Sequence, residues 1–443
     1  MTSTGSGDVI IRNVRVFDSR AGRLSETPQV VVVRGTTIDA IHPLGVTPAE
    51  AETGATVIEG GGRTLIPGLI DAHWHATMAT VPMPDLMTAD LGYIHLSAGA
   101  AATQTVLRGF TTVRDMGGPA FGLKRAIDTG VITGPRIFPS GAMISQTSGH
   151  GDFRSVHELP RGRTGEHSYP EMAGVTSIAD GADEVLRAAR EQLMQGASQL
   201  KVLAGGGVAS AYDPLEATQY TEAEIHAAVA AAQNWGTYVA VHAYTPHAVR
   251  QAIRAGVKSI EHGHLLDEAT VELMAAQGIW WSMQPFLDDE DTPPQSPASR
   301  VKNALVARGT DNAYALARKY GIPVAWGTDT LFSPELAARQ GHRLAGMTRW
   351  FTPAEILTMA TATNADLLAL SGPRNPYPGR LGVIEPGALA DLLVFDGNPL
   401  DDITMLGRPD EALALIVKDG AVVKNTLAAT AARFDNPDLI ASM

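Results

Sequence analysis

Residues 64–75 read Thr-Leu-Ile-Pro-Gly-Leu-Ile-Asp-Ala-His-Trp-His. The apolar, β-branched run predicts a buried strand, and it ends on two histidines at i and i+2. On a strand such positions point to one side, so His73 and His75 share a face and can hold one cation. A lone His-x-His is common and weak. Its weight depends on what the rest of the chain places beside it.

Outward from this stretch, strands alternate with helices. Further strands are predicted at Gly109–Asp115, Arg136–Pro139, Gln199–Ala204, Thr237–Tyr244, Ser259–His264, Gly278–Gln284 and Ile322–Asp329. Helices are predicted at Ala182–Gln195, Glu222–Trp235, Pro246–Ala255, Asp267–Ala276 and Ser299–Tyr320. Thr221 with Glu224, and Thr352 with Glu355, have capping-box spacing. With the stretch at 64–75 this makes eight strands, the α/β pattern of a (β/α)8 TIM-type barrel over residues 64–376.

Both ends have another texture. Val9–Val16, Val30–Arg34, Ile38–Ile41 and Ala55–Ile58 are β-rich, as are Ala390–Phe395, Ala414–Lys418 and Ala421–Val423. Neither set is enough for a core, so residues 1–63 and 377–443 are predicted to form one small β-sandwich domain. Two connections are long, Ser140 to Asp180 and the acidic, Pro-rich Phe286 to Ser299; loops of this length are often lids or binding loops.

Four more residues lie near the ends of separate predicted strands: Lys201, His242, His262 and Asp329. That rim is where TIM barrels gather catalytic groups. Each has a bland alternative: a core histidine, a snorkelling lysine, a capping aspartate. Six such residues in the order HxH, Lys, His, His, Asp are not a chance pattern. Composition narrows the chemistry. The 443-residue chain has no cysteine, which excludes disulfides and a thiolate nucleophile. Its net charge of −13 argues against nucleic acid or an anionic membrane as partner. The polar start at Met1 to Asp8 lacks a signal-peptide core and no run reaches a membrane span, so a cytoplasmic protein is expected.

With these residues in place the chain resembles the amidohydrolase superfamily, in its binuclear subgroup with a bridging carboxylated lysine. The resemblance rests on Ile66 to His75, on Gly382-Val383-Ile384-Glu385-Pro386-Gly387-Ala388-Leu389-Ala390-Asp391, and on the six strand-end residues. It implies two divalent metals, zinc by preference. His73, His75 and Asp329 would bind the first, His242 and His262 the second, and a CO2-derived carbamate on Lys201 both. It implies a hydroxide between the metals as nucleophile and Asp329 as the group that carries its proton to the leaving nitrogen. The apolar flanks of Lys201 suit this, because desolvation favours the neutral amine that reacts with CO2.

Further motifs resemble the Xaa-Pro dipeptidase-like (prolidase-like) and ochratoxin-type branch. They are Ser145 to Asp152, Lys201 to Val208, His242-Ala243-Tyr244-Thr245 and Ile260 to His264. That branch implies a small-molecule substrate, an amide in a dipeptide or N-acyl amino acid with a free carboxylate. It also implies a homo-oligomer, an octamer among the possible forms. Tyr244, His150 and His264 are the substrate-binding candidates, and Tyr244 and His150 also catalytic ones. Arg154, Arg161 and Arg163 offer cations in the long loop. Gly205, Gly206 and Gly207 are expected to let the backbone approach the metal site. A cyclic amide, aryl urea or carbamate on the same metals is the alternative substrate. A non-catalytic scaffold is disfavoured, because all six ligand positions are present.

Overall fold

The computed structural model describes residues 8–46, 54–158, 161–210, 212–290, 292 and 295–427. The polar start at 1–7, the end of the C-terminal segment at 428–443 and residues 291, 293 and 294 of the acidic loop lie outside the described residues.

All eight predicted strands form. They are β1 (Leu69–Trp74), β2 (Phe110–Asp115), β3 (Arg136–Pro139), β4 (Leu200–Leu203), β5 (Val239–Ala243), β6 (Ser259–His262), β7 (Trp280–Met283) and β8 (Val324–Trp326). Parallel ladders join β1–β2–β3 and β4–β5–β6–β7–β8. Two seams remain. Between β3 and β4 the Ser198 N–H donates to the Pro139 carbonyl (2.8 Å), and Gln199 Nε2 to the Phe138 carbonyl (2.9 Å). Between β8 and β1 the Asp329 N–H donates to the His73 carbonyl (2.8 Å).

Buried side chains complete that second seam. Asn364 Nδ2 donates to the carbonyls of Ile70 (2.7 Å) and Trp326 (2.9 Å), while its Oδ1 accepts from the Trp326 N–H (3.0 Å). It follows directly on a single π turn, Met359–Thr363, a local widening of the helix typical of constrained positions. Asp71 accepts from the Thr328 hydroxyl (2.9 Å) and Gln340 (2.8 Å). Burial pushes the Asp71 carboxyl up to about 6 against these bonds. Asn364→Ala would strand backbone groups of both strands. We expect a stability loss of roughly 3 kcal/mol, read from a shifted urea midpoint at unchanged slope.

Between the strands, Ala182–Gln195 and Pro246–Ala255 are helices with the bounds predicted for them, each followed by a left-handed glycine, Gly196 or Gly256. Both capping boxes form, Thr221 with Glu224 and Thr352 with Glu355. The long connection after β3 is not structureless. It contains the strands Met143–Ser145 and Thr176–Ile178, which pair in parallel, the first also meeting β4.

The predicted strand at 64–75 is divided at Gly68. Thr56–Pro67 runs in a terminal sheet and Leu69–Trp74 in the barrel. A Cβ at Gly68 would stand within 2.9 Å of three atoms of Thr111, so the close crossing there needs glycine. In the terminal sheet Val9–Asp18 lies between Gln29–Arg34 and Thr56–Pro67, and Leu392–Phe395 and Leu413–Lys418 continue it from the other end of the chain. The strands of both termini thus share one hydrogen-bonded path. Val9, Ile11, Val31 and Val33 are buried on one face of it, Ile10, Val30 and Val32 on the other. Buried Arg136 of β3 joins the two parts through Asp391 (3.0 Å) and Asp419 (2.7 Å). No helix among the described residues is long and apolar enough to cross a membrane.

Candidate active site

A cavity of about 710 Å³ opens at the C-terminal ends of the barrel strands, and His73, His75, Lys201, His242, His262 and Asp329 all line it. The ligand atoms of His73, His262 and Asp329 lie within 4.8 Å of one another. Asp329 Oδ1 is 3.3 Å from His73 Nε2 and 3.1 Å from His75 Nε2. Lys201 Nζ is 3.5 Å from His73 Nε2. The six residues predicted from strand ends meet at one place.

Each imidazole is anchored at one nitrogen by a protein oxygen. His73 Nδ1 faces Glu261 Oε2 (2.8 Å), and His75 Nδ1 the Gly117 carbonyl (3.1 Å). His262 Nδ1 faces Gln284 Oε1 (2.7 Å), and His242 Nε2 the Gly206 carbonyl (3.1 Å). An oxygen acceptor requires N–H at the anchored nitrogen, so the neutral ring keeps a lone pair on the other. Burial holds His73, His242 and His262 well below the ordinary imidazole range, which favours that neutral form. Burial also lowers the Lys201 amine to about 8. Burial would raise the Asp329 carboxyl, but His73, His75 and Lys201 outweigh it and bring it down to about 2. Neutral imidazoles beside an ionised carboxylate are a donor set that suits divalent cations with nitrogen and oxygen preferences.

The backbone is strained here. His262 (φ 75°), Asp329 (φ 49°) and Phe332 (φ 58°) are left-handed without being glycine, and all three line the cavity. The Trp281 indole donates to the His262 carbonyl (2.7 Å), so Trp281 is a fully buried brace.

The sequence reading missed the partner behind His73. Glu261 is fully buried and receives Arg114 Nη2 at 2.7 Å and the Ser259 hydroxyl at 2.6 Å. Arg114, also fully buried, donates further to Tyr238 (3.1 Å) and Ser282 (3.2 Å). Against burial, Arg114 and Lys201 hold Glu261 below the usual carboxylate range. We expect Glu261→Gln to weaken divalent-metal affinity by roughly 10–100-fold, measured by competition with a chelating dye.

Tyr244 and His150 reach the cavity as expected. Tyr244 is buried, and its hydroxyl has no hydrogen-bond partner among the described residues. His264 does not belong with them. Its Nε2 faces the Gln284 carbonyl (2.9 Å), and it stands behind the wall against Tyr244 and Phe286. Arg154 lines the cavity but is paired with Asp152, and Arg161 turns to Glu184 (3.1 Å). Of the three glycines, Gly206 does bring its backbone to the site, its carbonyl facing His242 Nε2; a Cβ there would meet the Pro214 backbone, one at Gly207 the His150 ring, and one at Gly205 only ordinary contacts. Phe286, Leu287 and Thr292 of the acidic loop line the cavity, as a binding loop should.

Comparison with known proteins agrees with this geometry. The amidohydrolase family pattern matches residues 64–423. The chain belongs to the amidohydrolase family. Ochratoxinase from Aspergillus niger is 34% identical over 376 residues, covering 81% of this chain and 75% of that protein. A prolidase solved with N-methylphosphonate-L-proline superposes with a TM-score of 0.86 at 33% identity, covering 94% of this chain and 100% of that one. A Xaa-Pro dipeptidase solved with methionine in its active site gives 0.80 at 28% identity, over 94% and 99%. This amidohydrolase is therefore a hydrolytic enzyme of the prolidase- and ochratoxinase-like group.

Proposed function

We propose that this amidohydrolase cleaves the amide bond of a dipeptide or N-acyl amino acid that carries a free carboxylate. The observation that carries the reading is the convergence of four anchored imidazoles, a buried lysine and an ionised aspartate on the floor of one deep cavity. His73, His75 and Asp329 would hold one divalent cation, zinc by preference, and His242 and His262 a second. Lys201, carboxylated by CO2, would serve both; its buried, easily neutralised amine supports that role. Bound there, the two cations would supply Lewis acidity for the scissile carbonyl and the attacking water.

The chain's own groups do the rest. Asp329, ionised at neutral pH, takes the proton of the attacking water and passes it to the leaving nitrogen. The unpaired Tyr244 hydroxyl donates to oxygen charge as it develops on the carbonyl. His150, in the loop after Met143–Ser145, contacts the substrate beside His242. The carboxylate requirement is supported by the named relatives: proline in the ligand of one, methionine bound in another.

The test is mass-spectrometric hydrolysis of a mixed pool by zinc-loaded protein. The pool holds dipeptides including Xaa-Pro, N-acyl and N-aroyl amino acids, cyclic amides and aryl ureas. Consumption confined to linear amides bearing a carboxylate is expected. Consumption of only ureas or cyclic amides would refute the substrate assignment while keeping the hydrolase.

A further inference from the structure

From the sequence His150 is a loop histidine able to reach the substrate, and the structure builds a seat around it. Its ring stacks on His242, with centroids 4.2 Å apart and planes 23° apart. It also lies against the Gly207 backbone, where a Cβ would stand within 2.6 Å of three ring atoms. Its N–H donates to Gln219 Oε1 (2.6 Å), and its carbonyl accepts from the Ser145 hydroxyl (2.6 Å).

The ring's Nδ1 meets the Ser210 hydroxyl and, at 3.3 Å, Asp213 Oδ2. Asp213 is 3% exposed; its Oδ2 also accepts the Gly207 N–H (2.6 Å), and its Oδ1 is buried without a hydrogen-bond partner. Lys302 Nζ ties this loop down by donating to the carbonyls of Gly207 (3.0 Å), Ser210 (3.1 Å) and Asp213 (2.6 Å). The Ser210 hydroxyl, itself bonded to Asp213, can accept from Nδ1, and a carboxylate facing a ring lone pair would repel it, so Nδ1–H is the favoured form. Nε2, which has no partner among the described residues, is left for the cavity beside His242.

We propose that Asp213 is a positioning residue: it fixes the His150 ring so that Nε2 is the atom presented to the reacting amide, with Lys302 holding Asp213 in place. The role rests on the amide-hydrolase reading above. A buried carboxylate with one oxygen unpaired costs free energy, a cost expected where its other contacts fix something the site needs. Here that something is the rotation and tautomer of one ring.

The test is a double-mutant cycle on zinc-loaded enzyme with the best linear amide of the pool, metal content being measured for each variant. His150→Ala and Asp213→Ala are each expected to lower kcat/KM by roughly 10–100-fold. The double variant should be no worse than the lower single, and metal content should stay at the wild-type level. Asp213→Asn, whose amide oxygen can still accept from Nδ1, should recover most of the loss. Losses that multiply in the double variant, metal lost from Asp213→Ala, or an Asn variant as poor as Ala would each overturn the proposal. If the wild type cleaves no amide in the pool, the reaction assignment fails and the seat is still testable. Spectra of ¹⁵N-histidine-labelled protein, with the signal identified by its loss in His150→Ala, should then show protonated Nδ1. Asp213→Ala should lose that signature and Asp213→Asn keep it; no difference among the three would overturn the proposal.

Discussion

Asp329→Asn is expected to lower kcat by about 10³–10⁴-fold while leaving the melting temperature near the wild-type value. The residue's structural bond is made by its backbone, the Asp329 N–H to the His73 carbonyl, and asparagine keeps it. Asparagine also tolerates the left-handed φ of 49° at this position. What the substitution removes is the negative charge of a carboxylate that would carry the proton and also hold the first cation beside His73 and His75. Such a group is ionised at any working pH and can accept a proton; an amide cannot. Turnover and thermal melting on the same preparation check this, and an Asn variant that still turned over would end the proton-carrying role.

Lys201→Ala is expected to lose metal and activity together. Lys201 is 2% exposed, its amine 3.5 Å from His73 Nε2. An ammonium there would repel both cations, whereas a carbamate would bind both, so removing the side chain removes a shared ligand. The loss in metal affinity should exceed the roughly 10–100-fold typical of an outer-sphere partner. The sign with pH follows from burial, which lowers the amine to about 8. Above that value the amine is mostly neutral and reacts with CO2; below it the ammonium dominates. Reconstitution of metal-free protein should therefore quicken as pH rises through about 8 and with added bicarbonate. Metal content and recovered rate are the readouts, and indifference to bicarbonate would count against the carbamate.

The barrel and its six rim residues were legible because their signals are local. Each strand is an apolar run, and five of the six side chains sit near or just past the strand's end, as His242 and Asp329 do, whereas Lys201 is the second residue of its strand. Glu261 was not legible. Strict alternation would set neighbours Glu261 and His262 on opposite faces, but the left-handed backbone at His262 lets both serve the site, and no propensity announces that torsion. Arg114 and Asp213 were hidden differently, since their meaning lies in partners 147 and 60-odd residues away in the chain. His264 was misplaced by the same alternation argument that succeeded for His73 and His75: past the turn at His262 and Gly263, also left-handed, the period of two no longer holds. The seam between β8 and β1 depends on Asn364, which reads in the sequence as an ordinary helical asparagine.

The most direct test of the two-metal account is a zinc titration of metal-free protein, following bound zinc and hydrolysis of an N-acyl amino acid together. Full activity should require two zinc ions per chain. Full activity at one, or hydrolysis with none bound, would contradict it.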